Sequence, residues 1–161
     1  MNTKLIKTTL RGALAALLVL TFTPLLASGA GKIEGAWNVN ATILSSCTMG
    51  QPVATVYRML TFADDGVIQE TAAFFNPLAP ALRSPGQGVW RHLTNGNYSY
   101  DVQFFRYNAD FTLAGWNREH REVVVDNSGT SFTATGTAEI FDLNGNLLGS
   151  GCSTETATRL F

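Results

Sequence analysis

Residues 130–161, TSFTATGTAEIFDLNGNLLGSGCSTETATRLF, contain the pattern that decides the fold. Two segments with strand-like composition, residues 130–141 and the segment that ends at Phe161, flank Asn144-Gly145. Asn-Gly between two such segments is the strongest signal for a β-hairpin with a two-residue loop. The last predicted strand also contains Cys152. The stretch therefore predicts an antiparallel hairpin with a cysteine in the final strand of the chain.

The same organisation extends back along the chain, which has almost no helical periodicity. Segments rich in Val, Thr, Phe, Tyr and Trp alternate with turns rich in Gly, Asn and Asp, as expected of an antiparallel sheet. The prediction is eight strands: 36–44, 53–62, a third from the turn at 64–66 to 73, 88–93, 97–107, 112–125, 130–141, and a last one from the turn at 144–145 to 161. A long connection with three prolines, residues 74–88, separates the third strand from the fourth.

Length and composition limit the class of protein. The 161 residues are 45% hydrophobic and 14% charged, which is too apolar for a disordered chain and suits a single domain. The 11 Lys and Arg residues are balanced by 12 Asp and Glu residues. A nucleic-acid binder would present a basic face, so we expect no nucleic-acid partner.

Residues 1–30 have the organisation of a signal peptide. Lys4, Lys7 and Arg11 precede an apolar segment at 13–26, and small residues follow at 27–30. The alternative is a membrane anchor, but about 14 residues fall short of the roughly 20 that span a bilayer. We therefore expect cleavage near Ala30, a single domain at 31–161, a secreted or periplasmic location and no stable membrane insertion.

The two cysteines, Cys47 and Cys152, both lie in the predicted exported domain. An even pair in an oxidising compartment usually forms a disulfide. The alternatives are two free thiols or half of a metal site, but the two histidines, His92 and His120, have unrelated spacings. We expect no metal and no cofactor. A disulfide would join the first strand to the last, which favours an up-and-down barrel over an open sandwich with free edges.

Two further features carry a resemblance to a known group of proteins. Gly35-Ala36-Trp37 opens the first strand, and Arg159 lies in the last one. In this respect the chain resembles the calycin superfamily (lipocalins, fatty-acid-binding proteins and avidins), and in particular small exported bacterial barrels. The resemblance implies an eight-stranded antiparallel up-and-down β-barrel. It also implies that Gly35, Trp37 and Arg159 are structural, with the basic side chain packed over the indole at the closed end.

Strand alternation suggests which side chains face the interior. If Tyr107 lies opposite Thr112 and Val125 opposite Thr130, the sixth strand turns its larger polar residues inward beside small residues of the seventh. A pocket is mostly apolar with a few placed polar groups. The predicted ligand-binding residues are Tyr57, Trp90, Tyr98, Tyr100, Phe104, Asn117, Glu119 and Arg121. A register change of one residue would instead turn Trp116, Arg118, His120 and Glu122 inward.

Three points stay open from the sequence. Glu119 and Arg121 either contact a ligand or form an internal bridge that fixes the barrel. The aromatic residues of the predicted site either form the core or contact a ligand. The connection at 74–88 is either a lid over the interior or an exposed insertion.

The function expected is that of an exported lipocalin-like barrel with a small, largely apolar molecule in its interior. One alternative is a barrel enzyme of the isomerase or cyclase type, with Glu119 as general acid or base if burial raises its pKa. The other is a protein-interaction module, or a homo-oligomer, that uses the outer aromatic residues Phe105, Tyr107 and Trp116. No nucleophile elbow or phosphate-binding loop occurs in the sequence.

Overall fold

The computed structural model describes residues 31–73 and 82–161. They form eight strands: β1 (Gly35–Leu44), β2 (Pro52–Phe62), β3 (Val67–Ala73), β4 (Gly86–His92), β5 (Tyr98–Tyr107), β6 (Leu113–Val125), β7 (Ser131–Phe141) and β8 (Leu147–Arg159). Each strand pairs antiparallel with its neighbours in sequence, and the sheet is closed. The predicted fold class, an all-β eight-stranded antiparallel barrel, is confirmed.

Two of the predictions fall outside those residues. The predicted signal peptide occupies 1–30, and most of the connection proposed as a lid occupies 74–81. Within the two described ranges, no helix has the length and the apolar character needed to cross a bilayer.

Closure is made by the first and last strands. β1 and β8 pair without interruption from Trp37 opposite Arg159 to Leu44 opposite Cys152. The disulfide between Cys47 and Cys152, with Cα atoms 5.2 Å apart, lies at the far end of this ladder. The prediction of a disulfide that tethers the terminal strands is confirmed, and the open-sandwich alternative is wrong because a closed barrel has no free edges.

The hairpin between β7 and β8 differs from its prediction in loop length. Asp142 and Asn146 still pair, since the Asp142 N–H donates to the Asn146 carbonyl at 3.0 Å, so the loop has three residues rather than two. The Asp142 carboxylate accepts hydrogen bonds from the N–H groups of Asn144 and Asn146. Gly145 has φ 84°, the left-handed conformation that ends a three-residue loop of this kind. The turn was located correctly and its type was wrong.

The registers of β6 with both neighbours are shifted by two residues from those predicted. Val125 lies opposite Phe132 rather than Thr130, and Asp101 lies opposite His120 rather than Arg118. A bulge at Arg106/Tyr107 and the four residues between Asp126 and Ser131 absorb the difference. Because side chains alternate with a period of two, an even shift leaves the same residues of β6 facing the interior.

One end of the barrel is closed by Trp37, which is fully buried. Its indole N–H donates to the carbonyl of Ile33 at 2.8 Å, and its ring packs edge-on against Phe132. The Arg159 guanidinium lies 4.2 Å from the indole centroid and donates to the carbonyl of Gly129 at 2.6 Å. A guanidinium over an aromatic face adds a cation–π attraction to the apolar packing. Gly35 begins the strand beside this contact.

From this closed end the interior is built in three levels. The first is an apolar core that includes Leu60, Phe62, Ile68, Val123 and Phe132. The second is a layer of buried charged side chains. The third, toward the end that carries the disulfide, is a cavity.

Candidate ligand-binding cavity

The cavity has a volume of about 360 Å³ and lies at the end of the barrel opposite Trp37. This size is at the lower end of the range for small-molecule sites, about 300–1,000 Å³. Its walls are largely aliphatic and aromatic. They are formed by Ala41, Ile43, Val56, Leu82, Phe104, Tyr107, Ala138, Ile140, Gly151 and the disulfide-bonded Cys152, with the polar and charged residues Arg58, Arg83, Arg106, Asn117, Glu119, Arg121, Ser150 and Ser153.

A network of three arginines and three glutamates separates the cavity from the apolar core. Its members come from β2, β3, β6 and β8 and from the segment before β4. They are Arg58, Glu70, Arg83, Glu119, Arg121 and Glu155, and the Tyr100 hydroxyl joins them. Three positive and three negative groups leave the network neutral, which is how charges are tolerated in an interior.

Arg58 is the centre of the network. Its Nη1 donates to Glu70 Oε1 at 3.1 Å and to Glu119 Oε2 at 2.5 Å. Its Nη2 donates to the Tyr100 hydroxyl at 3.1 Å and also bonds Glu155 Oε1. One guanidinium thus joins side chains from four other strands, so its planar fork fixes the relative positions of opposite walls.

Arg121 joins two of the same carboxylates from β6. Its Nε donates to Glu155 Oε1 at 2.9 Å, and its Nη2 donates to Glu119 Oε2 at 3.1 Å. Gly136 lies directly opposite on β7, and a Cβ there would meet Arg121 Cδ at 2.9 Å and the His120 carbonyl oxygen at 1.9 Å. The glycine therefore makes the room in which the arginine lies. Glu119 is matched in the same way by Ala138.

Arg83 comes from the segment just before β4. It bonds Glu70 Oε2, and its guanidinium carbon lies 3.1 Å from the centroid of the Phe104 ring. The Ser84 N–H donates to the Phe105 carbonyl, and the Tyr107 N–H donates to the Leu82 carbonyl. Residues 82–84 are therefore hydrogen-bonded to β5. The predicted connection at 74–88 is therefore wrong in its last part. β4 begins at Gly86, which pairs with Glu70 of β3, two residues earlier than predicted.

The network sets the charge state of its members. Burial alone would raise the pKa of Glu119, but the guanidiniums of Arg58 and Arg121 outweigh it and hold the pKa below the ordinary value. Burial is also the largest cause of the raised pKa of Tyr100, which keeps its hydroxyl protonated as a donor to Glu155 Oε2 at 2.7 Å. Glu119 is thus a carboxylate at neutral pH. The condition for the acid–base enzyme alternative, a pKa raised by burial, is not met.

This electrostatic arrangement predicts a dependence of stability on pH. The folded pKa of Glu119 lies below its ordinary value of 4.5, so its stabilising effect is complete above about pH 4.5 and is lost as the pH falls through the folded pKa. We expect urea unfolding midpoints of the wild type to fall more steeply below pH 4.5 than those of a Glu119→Gln variant. Parallel profiles for the two proteins would contradict the ionised state of Glu119.

The predicted site residues are divided between the levels of the barrel. Phe104, Asn117, Glu119 and Arg121 line the cavity. Tyr100 belongs to the charged layer. Trp90 and Tyr98 pack against each other near the closed end, where the Trp90 indole N–H donates to the carbonyl of Ala63 at 2.7 Å.

The placement of Tyr57 was predicted wrongly. Its side chain is on the outer surface and 54% exposed, whereas its neighbours Val56 and Arg58 point inward. The error has a physical cause: β2 carries large side chains on both faces, with Tyr57 and Met59 outside and Leu60 inside. Alternation alone does not tell the two faces of such a strand apart.

Four residues of the charged network were missed from the sequence: Arg58, Glu70, Arg83 and Glu155. Other residues that line the cavity, such as Arg106 and Ser153, were missed as well. For three of the four network residues a signal exists in the strand pattern, since Arg58 lies between Val56 and Leu60, and Glu70 and Glu155 are two residues from the buried Ile68 and Ala157. Charged residues are rarely fully buried unless paired, so a sequence argument assigns them to the outside.

The outer aromatic residues Phe105 and Trp116 lie opposite each other on β5 and β6, and Phe105 is 46% exposed. Trp116 in turn stacks on Phe141 of β7 with ring centroids 5.7 Å apart. Tyr107 also lines the mouth of the cavity.

Searches against protein-family models and against curated proteins find no match for this chain.

Proposed function

We propose that the protein is an exported, lipocalin-like barrel that binds a small, largely apolar molecule in its interior. The observation that carries the proposal is the cavity, which has aliphatic and aromatic walls. It borders the layer of buried arginines and glutamates, whose charges sum to zero. Preformed concave sites of mostly apolar character with a few polar groups are typical of small-molecule binding. Because the charged side chains below the cavity are bonded to one another, they hold its shape before a ligand arrives.

Export is part of the same proposal. The disulfide joins residues 105 positions apart and ties the rim of the cavity on β8 to the loop after β1. Such bridges persist in oxidising compartments such as the bacterial periplasm or the extracellular space. The apolar segment at 13–26 supports the same interpretation.

The function is tested by blocking the cavity. Gly151 lines it, and a Cβ built on Gly151 meets no atom within 4 Å, so a larger side chain there projects into open space. We expect Gly151→Phe to reduce affinity for the neutral apolar fluorophore N-phenyl-1-naphthylamine by about tenfold or more, a loss of about 1.4 kcal/mol. The measurement is a fluorescence titration of the folded protein.

The matched control is Thr154→Phe, which adds the same ring to the outer face of the same strand. It should bind the fluorophore as the wild type does, and thermal unfolding should show both variants folded. Equal binding by Gly151→Phe and the wild type would contradict the proposal, because the fluorophore would then occupy some other surface. Absence of binding by the wild type would contradict it as well.

A further inference from the structure

Arg106 differs from the other three arginines that line the cavity. Arg58, Arg83 and Arg121 each bond at least one glutamate, whereas within the described part of the chain no carboxylate lies within bonding distance of Arg106. Its Nη2 donates to the carbonyl of Phe141 at 3.2 Å, and its Nε, like that of Arg58, is buried without a partner. The cavity therefore carries one positive charge that the residues around it do not neutralise.

Two neutral polar groups beside the cavity are also without partners. Asn117 lies on β6 two residues from Gly115, which is opposite Arg106, so Asn117 and Arg106 are diagonal neighbours on one face. The Oδ1 atom of Asn117 is buried without a hydrogen bond. Ser153 on β8 is only 6% exposed, and its hydroxyl also has no partner. Buried polar groups normally find partners. The Ser153 hydroxyl can donate to an anion, whereas the Asn117 Oδ1 atom only accepts and calls for a donor group on the ligand.

Arg83 lies beside Arg106, but its charge is already paired. Arg83 and Arg106 face each other in a backbone bridge between the segment before β4 and β5. Two arginine side chains thus start from adjacent positions at the cavity, and only Arg83 bonds a carboxylate. Glu119, the acid that borders the cavity, is already shared by Arg58 and Arg121. An uncompensated guanidinium in a partly buried site is unfavourable, and a bound anion offsets it.

We infer, building on the proposed function, that the ligand is an amphiphile with one negative charge whose anionic head group binds Arg106. Its apolar body lies against the aliphatic and aromatic walls, which include Ile43, Phe104 and Ile140. The Ser153 hydroxyl supplies one more hydrogen bond. One negative charge is the complement of one uncompensated guanidinium, whereas a second charge would stay unpaired among apolar walls.

The inference is tested with two fluorophores that share a body and differ in charge. These are 8-anilinonaphthalene-1-sulfonate, which carries one sulfonate, and the neutral N-phenyl-1-naphthylamine. We expect the wild type to bind the sulfonate at least about tenfold more tightly than the neutral probe. This difference in affinity is the effect expected of one charge-assisted hydrogen bond. An Arg106→Gln variant should lose this preference and bind the neutral probe as the wild type does.

The control is Arg91→Gln, which removes one positive charge from the outer surface, where the Arg91 side chain is 60% exposed. It should keep the preference, and Gly151→Phe should weaken both probes if they occupy the cavity. Equal affinity of the wild type for the two probes would overturn the inference and leave the proposed function standing. A sulfonate preference that persists in Arg106→Gln would also overturn it. Failure of both probes to bind would contradict the proposed function and this inference together.

Discussion

Replacing Arg58 with leucine is expected to lower the free energy of unfolding by about 3–5 kcal/mol. The substitution removes the one guanidinium that bonds Glu70, Glu119 and Glu155, and leaves their buried carboxylates with fewer donors. The loss is large against the ~5–15 kcal/mol that stabilises a typical domain. Urea unfolding followed by tryptophan fluorescence measures it.

The matched control is Arg91→Leu, since Arg91 pairs with Asp101 on the exposed outer face. Surface pairs of this kind contribute about 0–1 kcal/mol, so this variant should unfold close to the wild type. The free energy of unfolding of Arg58→Lys should lie between those of Arg58→Leu and Arg91→Leu, because lysine keeps the charge but not the planar fork. Equal losses for Arg58→Leu and Arg91→Leu would contradict the central role of Arg58.

Removing the disulfide with Cys47→Ser and Cys152→Ser together is expected to cost up to about 4–5 kcal/mol. The bridge closes a loop between residues 105 positions apart, and a cross-link over so long a loop strongly restricts the unfolded chain. The barrel itself should remain, because β1 and β8 still pair from Trp37 to Leu44. The urea unfolding midpoint should therefore fall while the circular dichroism spectrum stays that of a β protein.

The reduced wild type provides the control for this substitution. With a thiol reductant present throughout, it should unfold at the same urea concentration as the double variant. An unfolding midpoint for the double serine variant equal to that of the oxidised wild type would show that the bridge does not stabilise the fold.

The strands could be predicted from the sequence because they depend on local chemistry. Turns such as Asp64-Asp65-Gly66 and Asn144-Gly145 separate segments of β-forming residues, and strand ends were located to within one or two residues. Closure followed from one long-range constraint, the cysteine pair. Loop length and register were less well determined, since a bulge at Arg106/Tyr107 depends on backbone geometry that the residue types do not specify.

The charged layer could not be predicted because its members pair across the barrel. Arg58 bonds Glu119 and Glu155, which are 61 and 97 residues away in the chain. Each alone is a charged residue in a strand, and the usual expectation for it is a solvated face. Of its charged members, only Glu119 and Arg121 were expected inside, because the predicted register placed them beside the small residues Gly136 and Ala134 of the next strand. In the structure the small residues opposite them are Ala138 and Gly136.

The cavity is the feature that the sequence predicts least well. An empty space exists only where no side chain of the surrounding strands fills the interior. Small residues such as Ala41, Ala138 and Gly151 border it, but the same residues fit equally well in a filled barrel. The aromatic residues expected to line it illustrate this. Phe104 does so, whereas Tyr100 is used in the charged layer.

The most direct test of a hollow, ligand-binding barrel is a crystal structure of the protein with N-phenyl-1-naphthylamine bound. The fluorophore should lie inside the barrel against Phe104 and Ile140, with Arg58 still bonded to Glu119 and Glu155. A fluorophore on the outer face, or an interior filled by the protein's own side chains, would contradict interior binding.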